Sequence, residues 1–282
     1  MGLYAILSAL TAALAWGAGD FAGGLASRRR SAASIVLTSQ LIGTAVLVLF
    51  GLWSREPLPS LSVLLAGAVA GVGGGLGILL FYMSMARGKM GVAAPLTAVA
   101  SGGIPLLVGL LTEGLPDVSQ LAGFLLAMVA LWVISRPDGA TPVQHGDIAL
   151  PLLAGVGFGV FLTIIGRIEP SNGFVWPLVA VRATSMAMMV VMILIGRRAE
   201  PESESGKFPW GLATVAGLGD TAGNVLFMLA SQMGRLDVAA VLGSLYPGVT
   251  TLLARVVLGE RLSARQNMGV GLALMAVMLI AL

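Results

Sequence analysis

The sequence predicts an all-α membrane protein: ten transmembrane helices in two inverted five-helix repeats. Three observations carry this expectation. The first is composition. Of 282 residues, 57% are hydrophobic, 39 are Gly and only 10% are charged, where a soluble domain carries roughly 25% charge. Mean hydropathy is +0.96, and a soluble globule of this size has too little interior to hide so much apolar surface. The second is a succession of ten apolar stretches, each near the roughly 20 residues that a helix needs to cross the bilayer core. The third is an internal similarity between the two halves of the chain.

In order, the stretches cover residues 3–26, 33–53, 61–85, 91–111, 119–135, 147–168, 174–195, 209–233, 238–258 and 266–282. The first contains Ala13, Leu14 and Ala15, which mimic a signal-peptide cleavage site. It lacks a basic leader and runs too long for one, so it is expected to be retained as a span. Arg28, Arg29 and Arg30 punctuate the next gap, and Arg55, Glu56 and Pro57 the one after. The central gap holds the turn-forming series Arg136, Pro137, Asp138 and Gly139, with His145 expected in an exposed loop before the sixth span. Residues 197–208 form a Glu-rich connector, and Asp237 is read as the N-cap of the ninth span. Pro95, Pro105, Pro177 and Pro247 are placed inside spans, where the carbonyls they free must face protein or a watery cavity.

At an offset of 146, residues 69–94 fall on residues 215–240, and 11 of the 26 aligned positions are identical. Leu80 and Phe81 meet Leu226 and Phe227, and the triplet Val92, Ala93, Ala94 meets Val238, Ala239, Ala240. Each half then holds five spans. Five is odd, so the second half enters the membrane inverted. Lys and Arg prefer cytoplasmic loops, and inversion should send matching loops to opposite sides. One side collects 11 Lys and Arg, the other only Arg55, Arg167 and Arg235. This bias puts the loops after odd-numbered spans in the cytoplasm and both termini outside. Inverted repeats create a midplane site that rocking of one half opens to either side, the geometry of alternating-access transport. Gly67, Gly71 and Gly75, Gly155 and Gly159, and Gly219 and Gly223 are small-residue pairs that let helices approach closely, either as static packing or at a moving interface.

The chain resembles the drug/metabolite transporter superfamily, specifically proteins with two EamA-type domains, here residues 1–137 and 147–282. The residues that carry the resemblance are Ala15, Trp16 and Gly17; Ser244, Leu245, Tyr246 and Pro247; and Gly259, Glu260, Arg261 and Leu262, followed by Gln266 and Gly269. The resemblance implies a ten-helix, multi-pass carrier of small metabolites in the plasma membrane, often an exporter. The first half departs from the pattern, with Ala100 and Ser101 where the second has Tyr246 and Pro247.

Ionisable side chains inside a span cost roughly 2.5–3.5 kcal/mol on insertion scales, which makes each a candidate site. Asp20, Arg182 and Asp220 lie well inside. A rise of about 1.5 Å per residue puts Arg182 and Asp220 both toward the midplane, where a purely structural ion pair competes with a substrate role. Asn224 follows Asp220 by one turn and Gln232 by two more, an inward-facing polar stripe, and Gln40 falls opposite Arg182 in the repeat. Asp20 is read either as a helix-end charge paired with Arg28, Arg29 and Arg30 or as a site for a proton or cationic substrate. Trp16, one turn earlier, is either its aromatic wall or a core residue. Tyr246 completes the candidate set. Glu113, Glu260 and Arg255 are read as interfacial.

Other functions find no support. The absence of Cys removes thiol catalysis and thiolate metal sites, and His145 is the one histidine. The net charge of +3 comes from scattered loop residues with no basic face for nucleic acid. No P-loop, Gly-x-Ser-x-Gly or His-Glu-x-x-His pattern is present, so neither ATP coupling, cofactors nor enzymatic chemistry is expected. The partners expected are a small-molecule substrate, the lipid bilayer and protons. The favoured substrate is an amino acid or related metabolite, exported by alternating access down its own or a proton gradient. The competing reading is proton-coupled efflux of lipophilic cations through Asp20. A channel and an intramembrane enzyme using Asp20 and Asp220 rank below both.

Overall fold

The computed structural model describes residues 3–87, 90–113, 118–135, 145–196, 207–233, 239, 242–243, 245–259 and 263–281. Its elements are α1 (Leu3–Ala26), α2 (Ala32–Ser54), α3 (Leu61–Arg87), α4 (Met90–Glu113), α5 (Val118–Ser135), α6 (His145–Ile165), α7 (Val175–Gly196), α8 (Trp210–Met233), α9 (Tyr246–Leu258) and α10 (Ala264–Ala281). A single 3-10 turn, Pro170–Asn172, precedes α7. Among the described residues, six helices are long and apolar enough to cross a membrane: α1, α2, α3, α6, α7 and α8.

Helix pairing follows the small residues. α1 lies along α8 and α3 along α6, the two most extensive contacts, while α5 pairs with α10, α4 with α6 and α1 with α9. α2 and α7 pack on each other, and each also packs on a long helix of the other half. Gly67, Gly71 and Gly75 form one row on α3. A Cβ on any of them would run into Pro177, Val181 or Ser185 of α7, so the row lets the two backbones touch.

Helix ends are fixed by local chemistry. Ser31 caps α2, its Oγ accepting from the Ser34 N–H at 3.3 Å. α2 ends with Arg55 in the left-handed region (φ 54°), uncommon for a residue with a side chain. That turn carries Glu56 to the start of α7, where its Oε1 accepts from Val175 N at 2.8 Å and its carbonyl accepts from Trp176 Nε1 at 2.9 Å. Gly173, at φ 65°, sits against the same carboxylate, leaving no room for a Cβ.

Three expectations change. The ninth span does not run as one helix over 238–258: Ala239, Leu242 and Gly243 are helical, Leu245 is a turn residue, and α9 starts at Tyr246. Pro247 is the cause. It occupies the first turn, where a missing N–H costs nothing, rather than a helix interior. Pro177 likewise falls in the first turn of α7, whereas Pro95 and Pro105 are interior to α4 and Pro151 to α6. His145 is the first residue of α6, not a loop residue, because the helix extends past the apolar run that marked the span. Asp237, Glu260 and the acidic part of the connector, 197–206, lie outside the described residues.

Candidate functional site

On α8, Val215, Leu218 and Ala222 are exposed and recur every three to four positions, which marks the lipid face. Asp220 and Asn224 sit about half a turn away from that stripe, facing the bundle. On α1 the exposed stripe is Leu3, Leu7, Leu10 and Leu14, and Trp16 and Asp20 lie on the other side. Inward-facing side chains should be fully covered in a close-packed bundle. Yet Trp16 and Asp20 are only half-buried, and the Asp220 side chain keeps 19% of its surface accessible. The inner faces of α1 and α8 therefore border a cleft.

A hydrogen-bonded chain crosses this centre through four helices. Trp16 Nε1 donates to Asn224 Oδ1 at 3.0 Å, and Asn224 Nδ2 donates to Asp220 Oδ1 at 3.3 Å. Arg182 Nη2, from α7, donates to Asp220 Oδ2 at 2.7 Å and to Thr221 Oγ1 at 2.9 Å. Arg182 Nη1 donates to Gln40 Oε1, on α2, at 2.6 Å. The guanidinium is 1% exposed, and a buried ion of that size persists only when paired and hydrogen-bonded. Both terminal nitrogens meet this requirement within the protein.

Asp20 stands apart. It lies six residues before the end of α1, and among the described residues no hydrogen bond or ion pair reaches its carboxylate. α1 passes close to Asp220, since a Cβ on Gly19, the residue before Asp20, would meet the Asp220 backbone nitrogen at 3.2 Å. Arg182 is taken up by Asp220, so Asp20 has no cationic partner among the described residues.

Aromatic rings pack together behind these polar groups. Trp16 contacts Phe227 (centroids 5.6 Å apart) and Tyr246 (6.5 Å, edge-on), and Phe81 contacts Tyr246 at 6.3 Å, also edge-on. Thr250 Oγ1 donates to Gly17 O at 3.1 Å, which holds Tyr246 and α9 against α1. Gly223 presses on the Trp16 ring and Gly23 on Tyr82. The candidates Trp16, Gln40, Arg182, Asp220 and Asn224 thus share one network, Tyr246 joins through its ring, and Asp20 faces them without bonding. Gln232 lies further along α8, its Nε2 buried and unpartnered. Arg255 is exposed in the last turn of α9. Tyr82 and Thr221 went unnoticed in the sequence. The signal for Tyr82 was available: the chain has only 3 Tyr, and a polar-tipped ring within an apolar run needs a partner.

A family model described as the EamA-like transporter family matches this chain twice, over residues 3–136 and again over 146–282. The chain belongs to the EamA-like transporter family. It is therefore a multi-pass membrane protein of a family that transports small molecules, and the cleft lies across both EamA segments: Trp16, Asp20, Gln40 and Tyr82 come from the first, Arg182, Asp220, Asn224 and Tyr246 from the second. A solved structure titled "Crystal structure of protein" superimposes on 98% of this EamA chain and 94% of its own, with a TM-score of 0.66 and 18% identity. At that identity the likeness speaks for the fold. A comparison with curated proteins returns no match.

Proposed function

We propose that this EamA protein is a secondary transporter that exports a small metabolite across the plasma membrane by alternating access, using the partly open polar centre around Asp20 and Asp220 as its substrate site. The observation that carries the reading is the pair of inward-facing, partly accessible carboxylates, Asp20 and Asp220, on helices long enough to span the bilayer. Polar groups at such depth are retained where they serve a substrate or ion path.

The packing supports two inverted repeats, residues 1–137 and 147–282. A two-fold relation that exchanges the halves sends the α1–α8 contact onto α6–α3, and those are the two most extensive contacts in the molecule. It also requires that some equivalent residues meet on the axis. Gln40 and Arg182, equivalent at an offset of 142, share a hydrogen bond. The polar groups break the symmetry: at the offset of 146, Gly74 corresponds to Asp220 and Ala100 to Tyr246, while Asp20 and Tyr82 come from the first half.

Proteoliposomes loaded with a panel of labelled amino acids and related metabolites test the carrier reading. Saturable, counterflow-competent flux of at least one compound is expected. Linear, non-saturating flux that no unlabelled compound accelerates would replace the carrier with a channel.

A further inference from the structure

Resting on the carrier reading, we infer that the Asp20 carboxylate, with the Tyr82 and Tyr246 hydroxyls, forms a subsite for the ammonium head of an arylalkylamine, a substrate whose positive charge is not balanced by a neighbouring carboxylate.

Charge gives the sign of the ligand. Asp220 is satisfied by Arg182 and Asn224, whereas Asp20 has no partner among the described residues. A cation that carries N–H donors is the ligand that a carboxylate with neither donor nor cationic partner would hold. An anion, or the carboxylate of an amino acid, would need Arg182, whose charge is already met by Asp220 and whose Nη groups also donate to Gln40 and Thr221, with only the buried Nε left unpartnered.

Two oxygens define the head group. Tyr82 is fully buried and Tyr246 is 7% exposed, and neither hydroxyl has a hydrogen-bond partner. The Tyr246 ring meets Trp16, one turn before Asp20 on α1. The Tyr82 ring and hydroxyl sit on Gly23, three residues beyond Asp20 and so on the adjoining turn of the same helix. A buried hydroxyl without a partner is costly. A protonated primary amine has three N–H donors, one for the carboxylate and one for each phenol oxygen. A quaternary or phosphonium cation has none and would leave both hydroxyls unsatisfied.

The rings define the rest of the molecule. Trp16, Phe81, Phe227 and Tyr246 form a connected aromatic cluster one turn from Asp20. Phe81 and Phe227 are fully buried behind Trp16, and the half-buried indole presents the cation–π face and the apolar surface for an aryl group.

The test measures binding of radiolabelled 2-phenylethylamine to the full chain in lipid nanodiscs, with phenylalanine, phenylacetate and tetraphenylphosphonium as competitors. Saturable binding is expected, with phenylalanine competing at least tenfold less well than unlabelled amine and phenylacetate not at all. Losing a hydrogen bond to a charged group predicts that Tyr82→Phe weakens binding by about tenfold. Asp20→Asn, nearly isosteric, should abolish it, while both variants keep the wild-type unfolding temperature within a few degrees. Undiminished binding in Asp20→Asn, or phenylalanine or tetraphenylphosphonium competing as well as the amine, overturns the inference. So does a wild-type protein that carries another metabolite but binds no amine, and in that case the carrier reading stands. Conversely, Asp20-dependent amine binding without any flux upholds the subsite and removes the carrier.

Discussion

Arg182 and Gln40, 142 positions apart in the chain, meet at 2.6 Å, Nη1 donating to Oε1, with Asp220 held by the same guanidinium at 2.7 Å. The arginine joins α2, α7 and α8 at the level where the cleft lies. It organises the site, its charge already met by Asp220.

Removing it should therefore cost stability first. Arg182→Met leaves the Asp220 charge unpaired, with only Asn224 still donating to it, and Gln40 without its donor, and breaking a buried pair from one side typically costs about 3–5 kcal/mol. The single variant should unfold at a markedly lower temperature in detergent. Adding Asp220→Asn should restore much of the loss, because the stranded charge is gone. Equal destabilisation in the single and double variants would argue that the pair is not coupled.

Gly223 is expected to be intolerant of side chains. A Cβ there overlaps the Trp16 indole, so Gly223→Val should displace the ring, break its bond to Asn224 and abolish substrate flux in proteoliposomes. Gly211, where a Cβ meets no atom within 4 Å, serves as the control, and Gly211→Ala should transport as the wild type does.

Glu56 should act as a remote N-cap for α7. Glu56→Ala is expected to lower stability by about 0.5–2 kcal/mol and to speed hydrogen exchange at the Val175 amide. Glu56→Gln keeps an acceptor oxygen and should retain most of the protection. Unchanged exchange at Val175 in Glu56→Ala would show that water replaces the carboxylate at no cost.

Sidedness can be read directly. The chain has no Cys, so a single introduced thiol reports alone. Arg29→Cys should react with an impermeant maleimide only from the cytoplasmic side and Arg55→Cys only from outside. Labelling of both from one side would refute the expected course of α2.

How much of this was legible beforehand differs by level. Spans announce themselves because a lipid-facing helix must be apolar over a fixed length, and helix boundaries such as 3–26 and 61–85 needed little more. The partners of Arg182 were also within reach, since the repeat aligned Gln40 with it and the cost of a lone charge demanded Asp220. Side-chain direction was not legible: α1 is apolar nearly all round, so no periodicity told which face Asp20 shares with Tyr82. Nor could Glu56 be recognised as a cap, because it serves a helix 119 residues away. The break at Leu245 was hidden for a related reason: a Pro is tolerated in a first turn and disruptive within a helix, and the apolar run covers both cases.

The ion pair also bears on how the protein is made. Arg182 and Asp220 belong to consecutive helices, so α7 leaves the ribosome with an uncompensated guanidinium before α8 exists. Entering lipid alone would cost it roughly 2.5–3.5 kcal/mol at mid-span, and α8 carrying Asp220 would pay similarly. Gln40 on the earlier-made α2 offers only one neutral acceptor. The two helices thus partition together far more favourably than in turn, and a nascent chain truncated before Asp220 should linger at the insertion machinery with α7 not yet released into the bilayer.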